Sequence, residues 1–376
     1  MIKLLGIFGF LVVLLRAATL CFQSVTIGGI LFFNLVARHI EQHNDALLRS
    51  SWKLIRLTAL ALAATQLIFV IANSLVLSAT VEIPLRDVLG ANFIWAGALA
   101  FVASLAIAFS PGQLRQRIPQ LLLIPAAIVL ASSVMTSHSA SRMNDRPLLV
   151  ALTVVHYLAT ASWIGGLPFL LLAMKKLPDG PCKATVMRRF SRLAQFSVGL
   201  LIAAGLGMSW AYVGSIEAIY GTAYGVMVST KVILLLCLLV LGAANFYIVK
   251  GIGTTGGGPG VKSLFRFGEA EIGIGLTIIL AAASLTSQPP GVDLTQDRVT
   301  LHEITTRFTP RMPRFESPHE SDFYKSAEVV YNQSKATGEV STSPSVPGER
   351  VWHPDDAEDI AWSEYNHNWA GLMVLL

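Results

Sequence analysis

Eight long apolar runs, at residues 4–37, 54–80, 88–109, 119–137, 147–174, 193–215, 225–249 and 267–287, leave this chain few ways to fold. Each is roughly as long as the ~20 residues a helix needs to cross a hydrocarbon core of ~30 Å. Inside lipid every backbone N–H and C=O must be satisfied within the protein, and the runs lack the alternation of strands, so helices are the reading that fits. Composition agrees: charged residues are 14% of the chain and hydrophobic residues 53%, against about 25% charged in soluble domains. The expected fold is all-α, a polytopic integral membrane protein built as a bundle of eight transmembrane helices. The first run is read as a retained helix, because Arg16 interrupts it and no small-residue cleavage site precedes a soluble domain.

Charge is unevenly placed. Residues 1–287 hold 21 Lys/Arg against 9 Asp/Glu, and residues 288–376 hold 7 against 14. The basic excess sits in loops between runs, and no basic patch interleaved with aromatics suggests nucleic-acid binding. The loops after the first, third, fifth and seventh runs carry fifteen Lys/Arg, and the alternate loops only Arg86, Arg142 and Arg146. The positive-inside rule therefore puts the N-terminus and the end of the eighth run outside the cytoplasm.

The remaining segments are less informative. Cys21, Cys182 and Cys237 are scattered and form neither a disulfide framework nor a zinc motif. The stretch GIGTTGGGPGVKS at 251–263 lacks the adjacent Gly-Lys-Ser/Thr of a phosphate loop and reads as a flexible linker. Residues 1–290 make the transmembrane domain. Residues 291–361 are an acidic, Pro/Ser-rich extracytoplasmic segment. Residues 362–376, with Trp362, Tyr365 and Trp369, are either an interfacial aromatic segment or the start of a ninth helix.

The stretch from Met135 to Gly166 holds the best clue to chemistry. Met135 and His138 stand at i, i+3 at the outer end of the fourth run, and His156 lies in the outer half of the fifth. Met208 and Met227 fall on the same side of the membrane by the loop-charge argument. Imidazole and thioether together suit copper, Cu(I) above all, while carboxylates for calcium or magnesium are scarce there. The inner side offers Met174, Met187 and Cys182, with His39 and His43 in a solvated loop. His156 is ten residues past Arg146, ~15 Å along a helix. The 138–146 loop must therefore dip inward for both rings to share an ion. Each residue also has a structural reading: an interhelical hydrogen bond for His156, a solvated cap for His138, packing for the methionines.

Several other polar residues lie inside the runs. Arg16 and Lys231 are deep enough to face the bundle interior. They either bind helix-end carbonyls, a lipid phosphate or an anionic copper complex, or, for Lys231, snorkel outward. Glu271 either pairs with an inner-end cation, receives a departing ion, or is a carboxylate favoured at a helix N-terminus. Asn245 suits an interhelical hydrogen bond. Trp163 follows His156 at i+7 on one face. Gly165–Gly166 and Gly205-x-Gly207 permit close helix approach, and Pro168 should kink the fifth helix.

The order and spacing of these residues resemble the copper-resistance D family of bacterial inner-membrane proteins. The residues that carry the resemblance are Ser137-His138-Ser139-Ala140, His156 with Trp163-Ile164-Gly165-Gly166, Gly225 with Lys231 and Asn245, and Glu271 before Pro289. Arg16 and Gly28–Gly29 in the first run look similar as well. The sequence departs from the family's pattern at Ser137, where a Gly is usual. The resemblance implies a non-enzymatic protein that moves copper across the inner membrane toward the cytoplasm and serves copper homeostasis and resistance. It also implies a periplasmic copper-binding partner of the C family. His138, His156, Met135, Met208 and Met227 would be the metal ligands, and Arg16, Trp163, Lys231, Asn245 and Glu271 the polar residues of the ion path or of the structure. Two other readings stand beside it: a haem-binding electron-transfer membrane protein, and a membrane scaffold whose tail does the work.

Overall fold

The computed structural model describes residues 2–37, 45–81, 84–143, 145–252, 258–295, 298–309, 313, 315–318 and 356–375. His39, His43, the centre of the glycine-rich linker and most of the 291–361 segment lie outside the described residues. The described residues are helical with irregular connections, and none is in a strand. The main helices are α1 (Ile2–Leu31), α2 (Asp45–Val81), α3 (Asn92–Ala108), α4 (Leu123–Met135), α5 (Arg146–Trp163), α6 (Leu167–Lys176), α7 (Pro181–Val213), α8 (Ala223–Ile252), α9 (Pro259–Leu285) and α10 (Asp356–Leu375). They fall into two units, residues 1–301 and 302–376.

Six helical stretches among the described residues are long and apolar enough to cross a membrane: Phe8–Ala37, Ala46–Val81, Arg146–Lys176, Pro181–Val213, Ala223–Ile252 and Gly260–Leu285. The expectation of eight is met only in part. The third and fourth runs form the shorter helices Asn92–Ala108 and Pro119–Met135. The first has 17 residues, ~26 Å of helix against a core of ~30 Å. Prolines flank the connection between them: Pro111 follows α3, and Pro119 opens a 3₁₀ turn, Pro119–Leu122, that leads into α4. The chain is thus a polytopic membrane protein.

Helix α1 is the centre of the first unit, packing against α2, α4, α5 and α9. Its last turns widen into a π-helical stretch, Phe32–Ala37. That stretch delivers Phe32 and Phe33 to an aromatic core in which Phe33 stacks on Trp52 at 5.3 Å and Phe32 meets Phe169 and Phe190 at 6.1 Å each. The fifth run does break where its glycines and proline stand. Helix α5 ends at Trp163, Gly165 and Gly166 follow, and α6 begins with Pro168 in its first turn. The break has a packing cause: a Cβ on Gly165 would fall 1.9 Å from the Ser24 carbonyl oxygen, and one on Gly28 2.3 Å from that of Ala161. Helices α1 and α5 therefore cross with their backbones in contact.

After α9 the chain from Gln288 returns across the turns that join α7 to α8. The Val292 amide donates to the Tyr212 carbonyl and the Val299 amide to the Gly221 carbonyl, both at 3.0 Å. Arg298 reaches the Ser215 hydroxyl at 2.9 Å. In the second unit, α10 is tied to the preceding chain by Trp369, whose indole N–H donates to the Phe315 carbonyl at 3.1 Å.

Candidate metal site

His138 opens a single helical turn, His138–Ser141, between α4 and α5. Its ring is held at the end of α9 by the Leu285 backbone, while Nε2 is buried without a partner. Burial keeps its pKa below the ordinary imidazole value. The charges of Arg16 and Arg142 push the same way, and the Leu285 backbone and Asp293 oppose them. The neutral ring therefore has a nitrogen free of any protein partner.

His156 repeats this arrangement in the middle of α5. The backbone of Leu201 on α7 holds the ring, and Nδ1 is buried with no partner. Gly205 on α7 faces the ring without crowding it, since a Cβ there would sit at an ordinary contact distance of 3.9 Å from Cε1. Lys231 on α8 is close enough to act on the ring electrostatically.

Between the two histidines stands Thr153. It shares a short hydrogen bond with Ser139, the residue after His138, and its hydroxyl lies 3.7 Å from the Met208 Sδ. Ser139 also meets the Tyr212 hydroxyl at 2.9 Å. Met208 and Met227 both pack on one apolar cluster of Leu149, Tyr212, Val213, Ala218, Tyr224 and Leu285. Met208 and Met227 thus pack on the cluster to which Leu285, the residue that holds the His138 ring, belongs, and His156 lies one helical turn beyond Thr153. Met135 stands apart, 46% exposed at the end of α4. Among the described residues, no three of His, Cys, Asp and Glu converge in a way that would hold a metal.

Arg16 is buried and donates to the Thr136 hydroxyl at 3.0 Å, the Ser133 carbonyl at 3.3 Å and the Tyr157 hydroxyl at 3.4 Å. Its charge is directed at the C-terminal carbonyls of α4, where a cation is favoured. The remaining polar residues meet at a different place. Asn245 Nδ2 on α8 donates to Oε1 of Glu271 on α9 at 2.7 Å, and the side chain of Trp163 hydrogen-bonds the same carboxyl group. Neither partner is the cation that one reading of Glu271 called for.

Sequence reasoning missed Thr153, Tyr212 and Asp293. Thr153 carried a usable signal, lying three residues before His156 on the same helical face. Tyr212 and Asp293 are brought in by chain reversal, which no local spacing announces.

Residues 184–285 match the family model described as copper resistance protein D. The copper transport protein CutJ of Bacillus subtilis (strain 168) is 26% identical over 227 residues, which cover 60% of this chain and 36% of that protein. The chain thus spans about a third of the length of the curated relative it matches. No solved structure matches it. The resemblance read from motif order is upheld, and most directly where Lys231, Asn245 and Glu271 lie. His138 and His156 precede the matched segment.

Proposed function

Taking residues 184–285 as a copper resistance protein D domain, we propose that this chain carries copper ions across the bacterial inner membrane toward the cytoplasm. It serves copper homeostasis and resistance as a permease rather than as an enzyme. The two short helices α3 and α4 complete a bundle of eight transmembrane helices. The N-terminus and the segment after α9 lie outside the cytoplasm, in keeping with the loop charges.

One observation carries the reading. Two half-buried imidazoles each have one nitrogen held by a neighbouring helix backbone and the other buried without a partner. A buried polar atom without a partner is costly, and a ring fixed through one nitrogen is the arrangement by which metal-binding histidines are oriented. His138 captures the ion at the outer end of the bundle and His156 receives it one step deeper. Met208 and Met227 supply thioether ligands, and Met135 samples incoming ions from its exposed position. These soft donors favour copper, as Cu(I), over hard cations. A periplasmic copper-binding protein of the C family delivers the ion. The membrane potential draws it inward, at ~2.3 kcal/mol per charge per 100 mV.

The test is cellular copper content at matched expression of wild type, His138→Ala and His156→Ala. Each substitution should lower accumulation. Unchanged accumulation in both variants would reject the site.

A further inference from the structure

A cavity of about 350 Å³ opens among α5, α6, α7, α8 and α9, at the Glu271 level of the bundle. Hydrocarbon side chains form most of its wall, and Glu271 is the one ionisable residue among the described residues that line it. Glu271 is 2% exposed. Its partners, the Asn245 amide and the Trp163 indole, are both neutral. Glu271 takes part in no ion pair with a cation among the described residues.

Two further features make this a place for a cation. The Oδ1 of Asn245 is buried and has no partner, so the amide that steadies Glu271 with its N–H group leaves an acceptor unused. Met187, 1% exposed, brings a thioether to the same wall. The Glu271 carboxylate, the unmet Asn245 Oδ1, a soft sulfur and the ring of Trp163 are then assembled on a wall whose other polar side chains, Gln195 and Ser191, are bonded to each other at 3.3 Å. One buried carboxylate balances one positive charge. A divalent ion would keep a net charge in hydrocarbon surroundings, which is strongly disfavoured. The thioether and the ring face select a soft ion over a hard one.

We propose that this cavity is a second binding site, for a soft monovalent cation, formed by Glu271, the Asn245 Oδ1 and Met187. The site rests on the copper reading for its cargo, which it takes as Cu(I), and it gives the ion a station beyond His156.

Silver(I) is the probe, being soft, monovalent and inert to redox change. The full chain, carrying Cys21→Ala, Cys182→Ala and Cys237→Ala in every variant because its free thiols would take up silver(I) first, is purified in detergent and titrated with silver(I) by calorimetry, with sodium as the control. Wild type should show an outer and an inner site. Glu271→Gln should lose the inner site and keep the outer one, and His138→Ala/His156→Ala should do the reverse. Met187→Leu preserves volume and needs no refolded core. It should weaken the inner site about tenfold, the equivalent of ~1.4 kcal/mol. Silver binding by Glu271→Gln and Met187→Leu that matches wild type would overturn the inner site, as would sodium competing equally for it. Loss of the inner site in Glu271→Gln together with unchanged binding in the histidine variant would uphold the inner site and overturn the outer one.

Discussion

Arg142 and Asp293, 151 residues apart in sequence, meet in an ion pair at 2.9 Å. Arg142 also lies over the Tyr212 ring at 5.7 Å. The pair fastens the segment after α9 to the connection between α4 and α5, beside His138. The carboxylate is half exposed, so the pair itself contributes little, on the order of 0–1 kcal/mol. Its effect should be local. Asp293→Asn is expected to leave the melting temperature almost unchanged while making the chain near residues 288–300 easier for an added protease to cut. Equal cleavage rates in variant and wild type would mean that the backbone bonds at Val292 and Val299 hold the segment alone.

His138 gives a pH dependence whose sign follows from its surroundings. The unfolded imidazole titrates near 6.5 and the folded one lower, chiefly because it is buried. The fold therefore favours the neutral ring. The stability this contributes is present above the unfolded pKa and is lost as pH falls through the folded pKa. Moving from about pH 7 to about pH 5, the range in which histidine changes charge, should lower the melting temperature of wild type more than that of His138→Gln. Parallel curves would show that the ring is better solvated than the structure has it.

How much of this could be read from the sequence depends on the range over which each feature is encoded. Helices appear in sequence because lipid forces each apolar run to satisfy its own backbone, and all eight runs became helices. The break after Trp163 was legible because Gly165, Gly166 and Pro168 act within one turn. The shortness of α3 was not, since Val88, Leu89 and Ala91 extend the apolar run yet lie in the turns before Asn92. Within the site, His156 and His138 were visible as rare polar residues near one membrane face. The convergence of Trp163, Asn245 and Glu271 was not, because three helices must pack before an indole on α5 can reach a carboxyl on α9.

The glycines offer a contrast within one helix pair set. Gly165→Ala places a methyl 1.9 Å from the Ser24 carbonyl oxygen, where only backbone can move aside. Overpacking of this kind costs about 1–3 kcal/mol or more, and the variant should lose the monodisperse peak in size-exclusion chromatography after mild heating. Gly205→Ala brings its methyl only to van der Waals distance of His156, 3.9 Å, and should survive the same heating as wild type does. If both variants behave alike, α1 and α5 do not cross as closely as described.

Met208 and Met135 separate a packed thioether from an exposed one. Met208 is partly buried against the apolar cluster around Tyr212, beside Thr153, whereas Met135 is 46% exposed. Leucine keeps the volume of either side chain and removes the sulfur. Under competition with a Cu(I) chelator, Met208→Leu should bind copper more weakly and Met135→Leu should match wild type within about twofold, which is only ~0.4 kcal/mol. The opposite order would move the capture point to the exposed end of α4.

The Glu271 cluster can be apportioned by a double-mutant cycle. Asn245→Leu removes the 2.7 Å donor and leaves a buried carboxyl group with the Trp163 indole alone, at a cost of about 1–3 kcal/mol for the lost partner. Replacing both members, in Asn245→Leu/Glu271→Leu, removes the unmet acceptor as well, so the double variant should be more stable than the sum of the single losses. Coupling of about 0.5–3 kcal/mol between the two sites is expected for residues in direct contact, read from thermal unfolding in detergent. Additive losses would mean that the amide and the carboxyl group do not share a hydrogen bond. The inner cation site would then lose the residue that positions its carboxylate.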